Sequence, residues 1–213
     1  MGTDIHMFVE KKTSEGWEAV KGENPYYIPG DEYGDEEYRY EGWLYNSRNY
    51  DFFAMLAGVR NGSGFAGVDT GEGFNPISEP KGLPKDASVE VEDYFDDSYL
   101  HSKSWLSLKE LKDYDLQQTT TQRGYIHEDD FEEYKELGRP LSGYFGGVAG
   151  VNVIPLTEEE YESLSEKEEG KEYFIRVEWE VTYKDCVGDT FEDIIYQLED
   201  IGEPIRIVFG FDN

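Results

Sequence analysis

The side chains in this sequence that could do chemistry are few and stand in short groups. Asp4 and His6 form an Asp-x-His pair. On a strand that spacing keeps both side chains on one face, as a divalent-metal site of imidazole nitrogen and carboxylate oxygen requires. His101, joined by Glu178 or Glu180, would extend such a set. The run His101-Ser102-Lys103-Ser104-Trp105 stands just before Ser107-Leu108-Lys109-Glu110, a capping-box pattern, so its polar groups are expected in a turn at a helix N-terminus, where anions are favoured. A histidine beside a serine also permits a hydrolase to be drawn, although no serine lies in a nucleophile elbow.

The densest polar stretch is Asn46 to Asn75, NSRNYDFFAMLAGVRNGSGFAGVDTGEGFN. Asn49 or Ser47 can cap a helix beginning near Tyr50, with Asp51 in its first turn, and Arg60-Asn61-Gly62 is where that helix should stop. The following run of Gly62, Gly64, Gly67, Gly71 and Gly73 holds Phe65, Asp69 and Thr70. Glycines let backbone amides turn toward a ligand. The spacing matches neither a Walker loop nor a dinucleotide fingerprint, and the alternative is an ordered loop packed by its own aromatics. As a binding set, Arg48, Arg60, Lys103 and Arg176 could hold phosphates, and Tyr50, Phe65 or Trp105 could stack on a base. Asn49, Asn61, Asp69, His101, Ser102, Ser104 and Glu178 supply the neighbouring polar groups.

Composition narrows the partners. The 213 residues carry a formal net charge of -29, which argues against direct binding to nucleic acid, because phosphate contacts need a basic surface. A small anionic ligand in one local basic pocket remains compatible. The single cysteine, Cys186, excludes an intramolecular disulfide and a cysteine-rich zinc site and points to a reducing compartment. Residues 1 to 20 lack a basic start and an apolar run, and no later window is long enough to span a bilayer, so a cytoplasmic protein without a membrane segment is expected. Mean hydropathy of -0.71 agrees with that expectation. No cofactor is specified by any motif.

The elements that must position these groups can be read from periodicity. Thr3 to Glu10 alternates as a first strand and WEAV from Trp17 as a second, while residues 22 to 42 form an acidic loop rich in Tyr, Gly and Pro. Gln117 to Ile126 is β-prone, Asp129 to Leu137 is an acidic helix, and LSGYFGGVAGVNVIP reads as a hairpin candidate. Thr157 with Glu160 caps a surface helix. Tyr173 to Tyr183 is the strongest strand, a last helix opens at Thr190, and IRIVFGF closes the chain. Strands and helices mix without strict alternation, so the expected fold is a single α+β domain over residues 1 to 213, with a largely antiparallel sheet and helices packed on one face. If the first, Tyr173 and last strands share that sheet, its wet face gathers Asp4, His6, Arg176, Glu178, Glu180 and Arg206.

Six motifs carry a resemblance: Met1-Gly2-Thr3-Asp4-Ile5-His6, Arg48-Asn49-Tyr50-Asp51, Ala57-Gly58-Val59-Arg60-Asn61-Gly62, Gly82-Leu83-Pro84, His101-Ser102-Lys103-Ser104-Trp105 and Val177-Glu178-Trp179-Glu180. With the closing Phe211-Asp212-Asn213, the chain resembles, over nearly its whole length, a family of uncharacterised bacteriophage and bacterial proteins. Members of that family often have cysteine at the place of Thr3 and histidine at that of Lys103, and both potential metal ligands are absent here.

The resemblance implies no fixed activity, but a phage setting implies a class of small proteins that sequester a host immune signal, usually a cyclic or ADP-ribose-derived nucleotide. Such a sponge, often a homo-oligomer, is the first expectation for function, with a nucleotide-like small molecule as partner in the host cytoplasm. The second is a metal-assisted hydrolase acting on a nucleotide with Asp4, His6, His101 and Glu178. The third is an acidic DNA mimic or protein-interaction module using the clusters Asp31 to Glu41, Glu90 to Asp97, Glu128 to Glu136 and Glu158 to Glu172.

Overall fold

The closing strand, Ile205–Phe211, is buried at all seven positions, Arg206 included. A strand with no wet side chain needs partners at both edges and cover on both faces. In the computed structural model, which describes residues 2–22, 40–96 and 99–213, it has all four. Residues 23–39, most of the expected acidic loop and of the Asp31 to Glu41 cluster, lie outside the described residues, as do 1, 97 and 98.

The elements in chain order are β1 (Ile5–Lys12), β2 (Trp17–Ala19), α1 (Tyr50–Ala57), α2 (Val89–Asp96), β3 (His101–Ser107), α3 (Leu108–Asp113), β4 (Thr119–His127), α4 (Phe131–Leu137), β5 (Val153–Thr157), α5 (Glu158–Glu162), β6 (Glu172–Thr182), α6 (Tyr183–Val187), α7 (Thr190–Ile201) and β7 (Ile205–Phe211). They form a single α+β domain with two sheets. The first is wholly antiparallel, in the order β2-β1-β7-β3. Alternation along its strands sends Met7, Val9, Leu106, Ile207 and Phe209 into a core with Phe52 and Met55 of α1, Leu111 of α3 and Phe191 and Leu198 of α7.

The opposite face is not wet. Phe8 and Val208 point there and meet Val91 and Phe95 of α2. Arg206, expected on a wet face, is 4% exposed and donates from Nε to Glu10, itself 0% exposed, at 2.7 Å. Its guanidinium also stacks 4.0 Å from the Trp17 ring centroid. The charges are tolerated because they are paired and hydrogen-bonded to each other, as buried ions require.

The second sheet has the order β4-β6-β5, with β4 antiparallel and β5 parallel to β6. The strong Tyr173 strand is therefore not beside β1 and β7, as the shared-sheet expectation had it. Both edges of β7 are already occupied by β1 and β3, and the apolar face of β6 instead packs Ile175, Val177 and Trp179 with Ile126 of β4 and Phe131 of α4. The hairpin expected over LSGYFGGVAGVNVIP is absent too: Phe145 bridges Tyr125 on β4, and β5 runs alongside β6.

Two features of the Asn46 to Asn75 stretch follow its local sequence. The Asn49 side chain caps α1 by accepting from Phe52 N at 3.1 Å, and the helix ends at Gly58, whose φ of 69° is the left-handed cap, ahead of the stop expected at Arg60-Asn61-Gly62. The glycine-rich loop then runs against β4. Glu72 N donates to Thr121 O at 2.9 Å, Arg123 N to Thr70 O at 2.9 Å, and a Cβ on Gly71 would lie 2.2 Å from Thr121 O. Several of its amides are thereby spent within the protein. Among the described residues, no helix is long and apolar enough to cross a membrane.

Candidate functional site: a cleft at the end of the first sheet

Antiparallel pairing brings three strand ends together. Ile5, at the start of β1, and His101, at the start of β3, both sit opposite Phe211, at the end of β7. The residues just outside β1 and β7, Thr3, Asp4, Asp212 and Asn213, are thereby collected beside Ser102, the second residue of β3. They are laced by short-range bonds. Asp4 N donates to Asp212 Oδ1 at 3.0 Å, and Thr3 Oγ1 donates to Asn213 Oδ1 at 2.9 Å.

Beside them opens a cleft of about 490 Å³ lined by Val59, Arg60, Asn61, Glu79, His101, Ser102 and Asn213 among others. Arg60 comes from the turn after α1 and is anchored by Nε donating to Thr3 Oγ1 at 2.7 Å, with its guanidinium 5.6 Å from the Tyr50 ring centroid. Tyr50 is fixed in turn, its hydroxyl accepting from Thr3 N at 3.2 Å. The Asn61 side chain clamps both backbone groups of Phe74 while lining the same cleft.

The other wall is a β-bulge. Between His101 and Ser104 three steps on β3 span two on β7, so one residue is extra, and Ser102 takes up the slack at φ 50°. Arg60 has φ 57°. Left-handed backbone at a residue with a Cβ costs of the order of 1 kcal/mol or more, and such positions cluster at functional sites. Of the three non-glycine residues with this conformation among those described, Arg60 and Ser102 line this one cleft. His101 Nδ1 lies 3.0 Å from Ser102 Oγ, while its Nε2 is buried with no hydrogen-bond partner among the described residues. A buried imidazole nitrogen without a partner is rare in folded proteins and sets this residue apart from an ordinary packed histidine.

His6 and Asp4, expected to point together toward a metal, have separate partners. Arg48 takes Asp4 in a two-pronged contact, Nε to Oδ1 at 2.8 Å and Nη2 to Oδ2 at 2.5 Å. His6 Nδ1 meets the Tyr94 hydroxyl at 2.7 Å, with Glu41 and Asp212 each 3.5 Å from the ring nitrogens. Burial pushes the Glu41 carboxyl up, opposed by the nearby His6. Among the described residues, no group of three or more histidine, cysteine, aspartate or glutamate side chains is placed to hold a metal ion.

The remaining expected site residues disperse. Arg48, Asn49 and Tyr50 line a separate depression with Gly64 and Thr70. Lys103 Nζ reaches Phe95 O at 2.5 Å, Ser104 is buried and accepts from Lys81 N at 3.1 Å, and Trp105 packs in the second core. These three follow the bulge into a strand rather than the expected turn, so their side chains leave the cleft. Arg176 and Glu178 are on the second sheet, where Asp69 pairs with Arg176 and Arg123, and Glu178 with Arg123. Phe65 stands 62% exposed on the glycine-rich loop.

The cleft thus retains Arg60, Asn61, His101 and Ser102 of the expected set and adds Glu79 and Asn213, with Thr3 buried behind Arg60 as its anchor. No local spacing marks these residues: Thr3 and Asn213 meet where β1 and β7 pair, and Glu79 comes from the loop between α1 and α2. Comparison with models of known protein families, with curated proteins and with solved structures finds no match.

Proposed function

We propose that the protein binds a small nucleotide-like molecule in the sheet-end cleft and holds it without converting it. The observation that carries this reading is the pair of left-handed residues, Arg60 and Ser102, on one cleft that His101 also lines. Strain retained at two positions on one cavity argues for a surface kept for a ligand. Its polar groups suit phosphate and ribose. A guanidinium already oriented by Thr3 can bind an anion without first being ordered, which favours affinity. The volume suits a mononucleotide or dinucleotide fragment. Val59, Pro76 and Pro80 offer apolar surface to a base or sugar.

The resemblance to phage-encoded proteins supports the more specific role of a sponge for a nucleotide immune signal, acting in the host cytoplasm. The test is native mass spectrometry after mixing with cyclic and ADP-ribose nucleotides, followed by denaturation and analysis of what is released. An unchanged nucleotide supports the reading, and the intact mass gives the oligomeric state. A second reading, hydrolysis, is favoured by the 3.0 Å contact of His101 Nδ1 with the strained Ser102 hydroxyl. It predicts a converted nucleotide in the same experiment.

A further inference from the structure

A second cleft, of about 330 Å³, lies away from the sheet-end site, where α1, the second sheet and α6 meet. Asp51 of α1 forms part of its wall. Its Oδ2 accepts from Gln122 Nε2 at 3.2 Å, and Gln122 Oε1 accepts from the Tyr144 hydroxyl at 3.2 Å. No ion pair reaches Asp51 among the described residues, although burial has removed much of its water and pushes its pKa up to about 6. A desolvated carboxylate held only by a neutral amide is under-compensated, and a cation beside it would restore the balance.

The same cleft has an unpaired guanidinium. Arg139, just after α4, lines it and has no ion pair among the described residues. Glu180 of β6 and Asp185 of α6 line it as well, so one positive and three negative groups share the space. Tyr144 and Trp179, edge to face with centroids 4.7 Å apart, supply an apolar wall. A ligand that complements this set carries a carboxylate for Arg139, an ammonium for Asp51 and further positive charge for the remaining acids.

We propose that this cleft binds a free basic α-amino acid, with its carboxylate on Arg139, its ammonium at Asp51, its methylene stem along Tyr144 and Trp179, and its side-chain cation toward Glu180 and Asp185. Carboxylate and guanidinium make the stronger, two-pronged contact, and the paired ammonium discharges the buried acid. Binding requires Asp51 ionised. Of the other groups facing it, the Tyr144 hydroxyl and the Cys186 thiol are each pushed up to about 12 by burial and stay neutral. Arg48, on the depression behind Asp51, is engaged by Asp4. Affinity therefore rises with pH through the titration of Asp51.

The experiment is calorimetric titration of the full chain with L-arginine and L-lysine at about 0.15 M salt, where surface attraction to a strongly acidic protein is screened. L-Glutamate and agmatine, which is arginine without its carboxylate, are the comparison probes. Both basic amino acids are expected to bind, with agmatine at least tenfold weaker and glutamate not detected. Asp51→Asn and Arg139→Gln should each weaken arginine at least tenfold, and His101→Ala should leave it unchanged. Moving from pH 8 to pH 5 should weaken wild type about tenfold, one unit below the Asp51 pKa leaving about a tenth ionised, and should leave Asp51→Asn unaffected. Arg139 is exposed, so its substitution carries the test even if Asp51→Asn disturbs the fold. Agmatine binding as tightly as arginine, wild-type affinity in Arg139→Gln, or no heat with either amino acid overturns the proposal.

Discussion

Arg60 donates through Nε to the hydroxyl of Thr3 at 2.7 Å, so a residue leaving the first helix is fixed by one entering the first strand. That bond aims a guanidinium along the sheet-end cleft before any ligand arrives. Arg60→Ala should leave the fold intact and weaken nucleotide binding by about 10- to 100-fold, the worth of one charge-assisted hydrogen bond. Thr3→Val should give a smaller loss in the same direction, because the guanidinium stays but loses its anchor. Titration of both variants with whichever nucleotide the wild type retains checks this, and equal affinities in all three proteins would falsify the placement of the site.

Ser102 tests whether the bulge is strained. Ser102→Gly suits φ 50° and should raise stability by roughly 0.5–1 kcal/mol against the Ser102→Ala variant, which keeps the Cβ. Denaturant melts of the two variants compare them directly. If alanine proves as stable as glycine, the backbone strain assigned to this wall of the cleft is absent.

The Glu10 and Arg206 pair predicts a large cost for halving a buried ion pair. Arg206→Met should destabilise the protein by about 3–5 kcal/mol, since it leaves Glu10 buried without a cation, and Glu10→Gln should cost less, because Asp86 still pairs with Arg206. The double variant should cost less than the sum of the two. Chemical denaturation of the four proteins measures the coupling, and simple additivity would show that the two side chains act independently.

Asp51 gives a pH signature. Its folded pKa, about 6, lies above the ordinary carboxylate value because burial penalises the charge. Its stabilising contribution is therefore complete below about pH 4 and is lost as pH rises through about 6, a change of at most about 3 kcal/mol. Asp51→Asn should remove that loss, making the variant more stable than wild type at pH 8 and flattening stability between pH 4 and pH 7. Parallel pH profiles for the two proteins would contradict this assignment.

Much of this architecture was legible in the sequence. The alternation of Ile5, Met7 and Val9, the Asn49 cap, the Ser107 and Thr157 capping boxes and the run Ile205 to Phe211 each report a local preference that the fold keeps. What escaped depends on long-range choices. The pattern of Tyr173 to Tyr183 says strand but not which sheet, and the β7 edges it was expected to join belong to β1 and β3. The sequence around His101 gives no sign of a bulge, and one extra residue turns Lys103, Ser104 and Trp105 away from a cleft that keeps His101 and Ser102. Arg206 in an otherwise apolar strand looked like a wet-face residue because its partner, Glu10, stands 196 positions away.

The central claim is that the sheet-end cleft retains an intact nucleotide, and native mass spectrometry of the wild type beside Arg60→Ala tests it most directly. Mixed with a panel of cyclic and ADP-ribose nucleotides, the wild type should carry one of them, release it chemically unchanged on denaturation, and lose it in Arg60→Ala. Wild-type protein that emerges bare from the whole panel, or that carries the same nucleotide whether or not Arg60 is present, contradicts the account.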